Sequence, residues 1–405
     1  MVKKSHGPPE QIGDMRNRSA KNFVSLTEPD AQESISTTSV GSIMTFKEPT
    51  GSFHAFGLPR SLLLEFRLLS KPCSVVRETT LKAMNALDSA KNGTSRDSRI
   101  VLTGDSGSGK SFLLLQAVDY ALQSGWIVLY IPRAISLLDS STSYQYDPRT
   151  QTYQQPPASQ QLLKRFLSVN NTTLQSMKIT QSINIGRLSN FQVGTPLTQL
   201  IDAGIKEPYI SCDVLSATLE QLEHQTNHPV LLAIDDFQAL YCTSQYRDPD
   251  YNRIRSYHLS VPRLLLEYAG GLKSYTKGAV LGAISSTNTN FQAPLELREA
   301  LQLTGKEVIS PYESRSSELV QYMHGLRPFQ VPAKLSVPES LGLFGIWSRH
   351  LALHTSNDIY FIITPALTSL PHLLGPNDEL FHSKYTEASA NARQFVRGLL
   401  GTIET

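Results

Sequence analysis

Long apolar runs are missing from this 405-residue chain. No uninterrupted stretch approaches the roughly 18 residues that a bilayer-spanning helix needs. The most apolar segments, Trp126–Ile131 and Tyr360–Thr364, are strand-length. Cysteine is scarce as well: Cys73, Cys212 and Cys242 lie far apart, are odd in number and form no C-x-x-C pair. This excludes a disulfide framework or a structural zinc site and suits a reducing interior. An excess of either charge is also lacking, with 37 Lys and Arg against 35 Asp and Glu. Bulk electrostatics therefore hardly favour nucleic acid, and any RNA contact falls to local patches. No internal repeat is visible.

What is present is an ordinary globular mixture, 40% hydrophobic and 18% charged. That excludes a wholly disordered or collagen-like chain and provides for a sizeable core. Residues 1–50, rich in Ser, Thr, Gly and Pro, read as a flexible, disordered arm. The arm's start is basic (Lys3, Lys4, Arg16, Arg18, Lys21) but contains Glu10 and Asp14, so it matches an acid-poor targeting peptide only weakly. Residues 51–98 show helical spacing at Leu62, Leu63, Phe66 and Leu69, then at Val76, Leu81, Met84 and Leu87. Arg99–Thr103 predicts a strand, Lys110–Gln123 a helix and Trp126–Ile131 a second strand, the repeating unit of a parallel α/β sheet.

Further along, 139–160 is rich in Tyr, Gln, Ser and Pro and reads as an irregular surface excursion. Gln161–Leu174 and Leu215–His224 read as helices. Pro229–Ile234 and Ala279–Ile284 complete the set of buried strands, and Phe329–Pro332 is a short extended piece. Ser336-Val-Pro-Glu339 has the Ser-x-x-Glu spacing of a helix start, with proline in the first turn. That helix should run through Leu343 and Trp347. Asn391-Ala-Arg393 opens a last helix towards Leu400. The organisation is thus an arm (1–50), a helical extension (51–98), a nucleotide-binding core (99–332) and a small helical lid (333–405).

Gly104-Asp-Ser-Gly-Ser-Gly-Lys-Ser111 matches G-x-x-x-x-G-K-[ST] in full. Glycines let successive backbone N–H groups turn inward around an anion, because a Cβ would clash or forbid positive φ. The following helix adds the positive end of its dipole. In this reading Gly104, Ser106, Gly107, Ser108, Gly109, Lys110, Ser111 and Phe112 form the nucleotide site. Lys110 serves the β- and γ-phosphates, and the Ser111 hydroxyl is a ligand of Mg²⁺.

The companion acid should end another buried strand, and Val230-Leu-Leu-Ala-Ile-Asp235-Asp236 supplies it. Asp235 is the second metal ligand, acting through water. Asp236 is the catalytic candidate, placed to orient an attacking water although it is one methylene shorter than Glu. Ser285, Ser286 and Asn288 follow the next strand, where a polar side chain can reach a γ-phosphate; Ser286 is taken for the site. Arg393 can reach the phosphates from the lid. Tyr246–His258 interleaves basic and aromatic residues, making Arg247, Arg253 and Arg255 candidates for RNA contact.

The base is not settled by motif. Thr276-Lys277-Gly278-Ala279 has the first two letters of the guanine-reading N/T-K-x-D loop and lacks its acid. The order of elements looks like an AAA- or STAND-type P-loop NTPase with a helical lid, in which the acid-bearing strand neighbours the phosphate-loop strand. More specifically, four stretches together resemble the death-associated protein 3 family: Gly104–Ser111 followed by Gly125-Trp-Ile-Val-Leu-Tyr-Ile-Pro132, the Tyr146-Asp-Pro148 excursion, Val230–Tyr241 and Asn391–Arg397. The resemblance spans roughly residues 60–401.

That resemblance implies a protein of the mitochondrial small ribosomal subunit, in contact with ribosomal RNA and neighbouring proteins. It implies a bound guanine nucleotide with Mg²⁺, support of mitochondrial translation, and at most slow hydrolysis. The alternative from the motifs alone is an active AAA/STAND-type ATPase working as a regulatory or mechanical switch.

Overall fold

The computed structural model describes residues 39–46, 55–69, 72–185, 189–303, 312, 315–349 and 378–400. Contacts divide the chain into residues 1–38 and a unit of 39–405, and all described residues belong to the second. The expected arm up to residue 38 and the apolar stretch Tyr360–Thr364 therefore lie outside the described residues.

Five strands form one parallel sheet: β3 (Arg99–Thr103), β4 (Ile127–Ile131), β9 (Val230–Asp235), β12 (Gly278–Ala283) and β13 (Arg327–Gln330). Short antiparallel pairs make up the other strands: β1 (Ile43–Thr45) with β2 (Cys73–Val75), β5 (Gln145–Asp147) with β6 (Thr152–Gln154), β7 (Ile183–Ile185) with β8 (Ser189–Phe191), and β10 (Thr243–Arg247) with β11 (Arg253–Arg255). β1 thus falls within the stretch expected to be arm. The 139–160 stretch is not irregular: Tyr146 pairs with Tyr153 across a hairpin before the next helix begins at Pro156.

The helices are α1 (Arg60–Leu68), α2 (Glu78–Ala90), α3 (Lys110–Gln123), α4 (Pro156–Gln175), α5 (Leu197–Lys206), α6 (Ser211–His224), α7 (Ser260–Ala269), α8 (Leu295–Ala300), α9 (Ser317–Val320), α10 (Val337–Arg349), α11 (Asp378–Glu387) and α12 (Ala392–Leu400). No described helix is long and apolar enough to cross a membrane.

The side-chain period of two divides the sheet between two cores. Ile127, Leu129, Ile131, Val230, Leu232 and Ile234 face the core that also takes up Leu162 and Phe166 of α4 and Leu215 of α6. Val128, Tyr130, Leu231, Ala233, Leu281 and Leu102 face the opposite core, built with Leu114 and Val118 of α3, Leu87 of α2 and Leu62 of α1. Burial on both faces explains why these strands read as continuous apolar runs rather than alternating ones.

Strand order across the sheet is β13-β3-β12-β9-β4. The acid-bearing β9 therefore does not neighbour the loop-bearing β3, contrary to the expectation from sequence; β12 pairs with both and lies between them. Local patterning names strands but not their neighbours, since order is set by how the crossover helices pack. The extended piece near Phe329 is a full member of the sheet, with Phe329 beside Leu102.

A third core joins the two ends of the described chain. Leu69, Cys73 and Val75 pack with Trp347 of α10, Phe381 of α11 and Phe395 and Leu399 of α12. The helix expected from Ser336 is α10, and the Glu339 carboxylate accepts the Ser336 N–H at 3.0 Å.

Candidate functional site

β3 ends at Thr103, and the chain turns through Gly104–Gly109 into α3 at the carboxyl edge of the sheet. Ligands of open parallel sheets bind at such an edge, where neighbouring connections diverge. Gly104, Gly107 and Gly109 hold φ at +130°, +80° and +91°. A Cβ on Gly107 would come within 2.7 Å of Asn391 Oδ1 and 2.9 Å of Arg393 Cβ. Glycine is required there by close approach as well as by φ.

The C-terminal helices close directly on this loop. Arg393 N–H donates to Gly107 O at 3.2 Å, and its guanidinium donates to Ser106 Oγ at 3.2 Å. Asn391 Nδ2 donates to Ser106 O at 3.2 Å. From the other side Arg77, immediately before α2, donates through Nη1 to Ser108 O at 2.6 Å and through Nε to Glu339 Oε2 at 3.3 Å. Two segments remote in sequence thus clamp one loop.

Lys110 is buried, and its ammonium donates to Gly104 O and Asp105 O, each at 2.7 Å. Burial first, then the nearby Arg393 charge, lowers its pKa to about 8, against Asp105 and Asp235. Asp235 is buried at the end of β9. Its carboxyl is pushed up to about 7, by burial first and by the adjoining Asp236 second, against the nearby Ser111 hydroxyl and the Lys110 charge. A buried cation bonded, among the described residues, to neutral carbonyls, near a buried carboxyl and a serine hydroxyl, suits a polyphosphate with a hard divalent cation.

The raised Asp235 carboxyl has a consequence for stability. Its pKa in the folded chain lies above the ordinary 3.8, so its contribution is full below that value and is lost as pH rises towards 7. Asp235→Asn should therefore gain on the wild type at pH 8 relative to pH 5, by roughly 2–3 kcal/mol in nucleotide-free protein. Thermal melts of both proteins at both pH values measure this; an equal margin at each pH would contradict it.

Ser106, Gly107, Gly109, Lys110, Ser111, Phe112, Ser286 and Arg393 line one cavity. Gly104, Ser108, Asp235 and Asp236 lie outside that lining. Among the described residues the buried Ser108 hydroxyl has no hydrogen-bond partner, and this residue serves the loop through its carbonyl. Asp236 is left-handed at φ +55° and donates its N–H to Asp235 Oδ1 at 2.9 Å. Burial raises its carboxyl, against the nearby Ser285 and the Arg133 charge. Ser285 donates its N–H to Gln238 Oε1 at 3.0 Å, and the exposed Ser286 lines the cavity beside it.

Arg247, Arg253 and Arg255 stand apart from this cavity on the exposed side of the β10–β11 hairpin, whose inward residues are Tyr246 and Ile254. Arg247 donates to Tyr251 O at 2.6 Å and Arg255 to Thr243 Oγ1 at 3.0 Å. Tyr251 is 78% exposed, whereas Tyr246 is fully buried. The interleaved aromatics therefore divide between core and surface.

Sequence reasoning missed Arg77 and Glu65, both of which line the cavity. Glu339, the acid of the capping signature, was the one local hint of a partner for Arg77.

Fold and loop together define an α/β protein with a central parallel sheet and a glycine-rich loop at its carboxyl edge. Residues 74–398 match the family model described as mitochondrial ribosomal death-associated protein 3. The chain belongs to that family, and it is a mitochondrial protein.

It is similar to the small ribosomal subunit protein mS29 of Neurospora crassa, with 28% identity over 69% of this chain and 61% of that one. The mS29 proteins of Schizosaccharomyces pombe (27% identity, 59% of this chain and 51% of that one) and Bos taurus (24%, 62% and 63%) are also similar. In each case the matched stretch spans less than two thirds of the relative's own length.

Proposed function

We propose that this protein is a structural component of the mitochondrial small ribosomal subunit and holds a purine nucleotide with Mg²⁺ at the Gly104–Ser111 loop of a P-loop NTPase-type core. The observation that carries the nucleotide reading is the buried Lys110 ammonium beside a glycine-lined turn, with Asp235 and Ser111 opposite. Support for the ribosomal reading comes from family membership and from relatives named for the small subunit. The resemblance favours GDP or GTP over the adenine nucleotides.

In this reading the backbone amides of the loop and Lys110 bind the phosphates, while Ser111 and Asp235 would hold the cation. Mg²⁺ would neutralise phosphate charge when bound. Asn391 and Arg393 hold the loop closed from the C-terminal side. The nucleotide is retained as a structural or slowly turned-over ligand. At a thousandfold excess over its dissociation constant it would stabilise the fold by about 4 kcal/mol, without any need for fast catalysis. Arg247, Arg253 and Arg255 are proposed to meet ribosomal RNA phosphates.

Two measurements test this reading. Sucrose-gradient fractionation of mitochondrial lysate should find the protein in small-subunit fractions; its absence from them would refute the ribosomal role. Chromatography of the supernatant released by heating native protein should yield a purine nucleotide, and an empty supernatant would refute the ligand.

A further inference from the structure

The cavity at the phosphate loop extends beyond the loop itself. Away from Lys110 its walls come from the N-terminal extension (Leu62, Leu69, Val75) and from α10 (Leu343, Ile346, Trp347). Apolar walls with few polar groups suit a flat heterocycle. Among the described residues of the lining, Arg77, Lys110 and Arg393 are basic and Glu65 of α1 is the one acid. Arg77 is engaged with Ser108 and Glu339, and Arg393 with Ser106. Among the described residues, no hydrogen bond engages the Glu65 carboxyl. Burial raises it to about 7 even against the attraction of Arg393.

The stretch that in part resembled a guanine-reading loop is not available for that task. Gly278 and Ala279 are buried in β12, within the sheet. Any acid that reads a base must therefore come from elsewhere.

We propose that Glu65 is the base-selecting residue of this site and that the base it selects is guanine. This inference rests on the reading that Gly104–Ser111 binds the phosphates of a nucleotide. Guanine presents two adjacent donors, N1–H and the 2-amino group, which the two oxygens of one carboxylate can accept together. Adenine presents an acceptor at N1 to the same carboxylate, leaving a half-buried acid unpaired. The apolar walls hold the ring, and Glu65 reads its edge.

The full-length protein, stripped of nucleotide, is titrated calorimetrically with the Mg²⁺ complexes of GDP, ADP, inosine diphosphate and xanthosine diphosphate. Wild type should bind GDP at least about tenfold more tightly than ADP. It should bind inosine diphosphate, which lacks the 2-amino group, about tenfold more weakly than GDP. Glu65→Gln should lose about ten- to a hundredfold in GDP affinity and leave ADP nearly unchanged. It should gain xanthosine diphosphate, because an amide can accept from N1–H and donate to the 2-oxo group.

Wild type binding none of the four would overturn the phosphate-loop reading and this inference with it. Binding with equal affinity for GDP, ADP and inosine diphosphate would overturn the Glu65 assignment alone, as would an unchanged GDP preference in Glu65→Gln. The comparison of inosine and guanosine diphosphates needs no variant, so the test stands even if the substitution prevents folding.

Discussion

Replacing Arg77 with alanine should cost the fold about 3–5 kcal/mol, the usual effect of removing one partner from a buried ion pair. Arg77 and Glu339 lie 262 residues apart in sequence, with side chains only 10% and 6% exposed. The guanidinium also donates to Ser108 O at 2.6 Å and to Pro332 O at 3.3 Å. Glu339 in turn accepts the N–H groups of Glu78 and Ser336, at 3.1 and 3.0 Å. Truncation would strand that carboxylate and release the loop carbonyl at once.

Urea unfolding of the nucleotide-free protein checks the size of the loss. Removing both charges as Arg77→Met with Glu339→Gln should recover part of it, since an unpaired buried charge costs more than no charge at all. Arg77→Lys should not rescue, because an ammonium lacks the planar fork that reaches several acceptors together. A single-variant loss under about 1 kcal/mol would show that the clamp contributes no more than a surface pair.

Lys110→Ala should have the opposite profile, with a large loss of ligand and little loss of fold. The ammonium is buried with neutral carbonyls as its partners, and burial already lowers its pKa to about 8. Removing it relieves a desolvated charge, so the nucleotide-free protein should melt at the same temperature or higher. Nucleotide affinity should fall at least about a hundredfold, as expected when charge-assisted hydrogen bonds to two phosphates are lost. The stabilisation that added nucleotide confers on the wild type should vanish with it. Calorimetric titration and melts with and without Mg·GDP measure both halves. Unchanged affinity would mean that the loop does not grip phosphate through this side chain.

The two substitutions separate what was legible in the sequence from what was not. Gly104–Ser111 was legible because the positive φ angles and the helix start at Lys110 are dictated over eight consecutive residues. The strands containing Ile127–Ile131 and Val230–Asp235 were legible because burial on both faces leaves an unbroken apolar run. The Ser336–Glu339 start of α10 was legible because its hydrogen bond closes within one turn. Arg77 and Glu65 read as ordinary polar residues near helical segments, with nothing adjacent to mark them.

Sequence alone therefore determined the central strands, the glycine-rich loop, the acid at the end of β9 and the family likeness, each of them a matter of short-range chemistry. Only the tertiary structure decided that β12 separates β3 from β9 and that Arg77 ties the loop to Glu339. Those outcomes depend on which surfaces the crossover helices and the C-terminal core bring together. Contacts across hundreds of residues leave no periodic trace in the chain, because either partner alone satisfies every local rule.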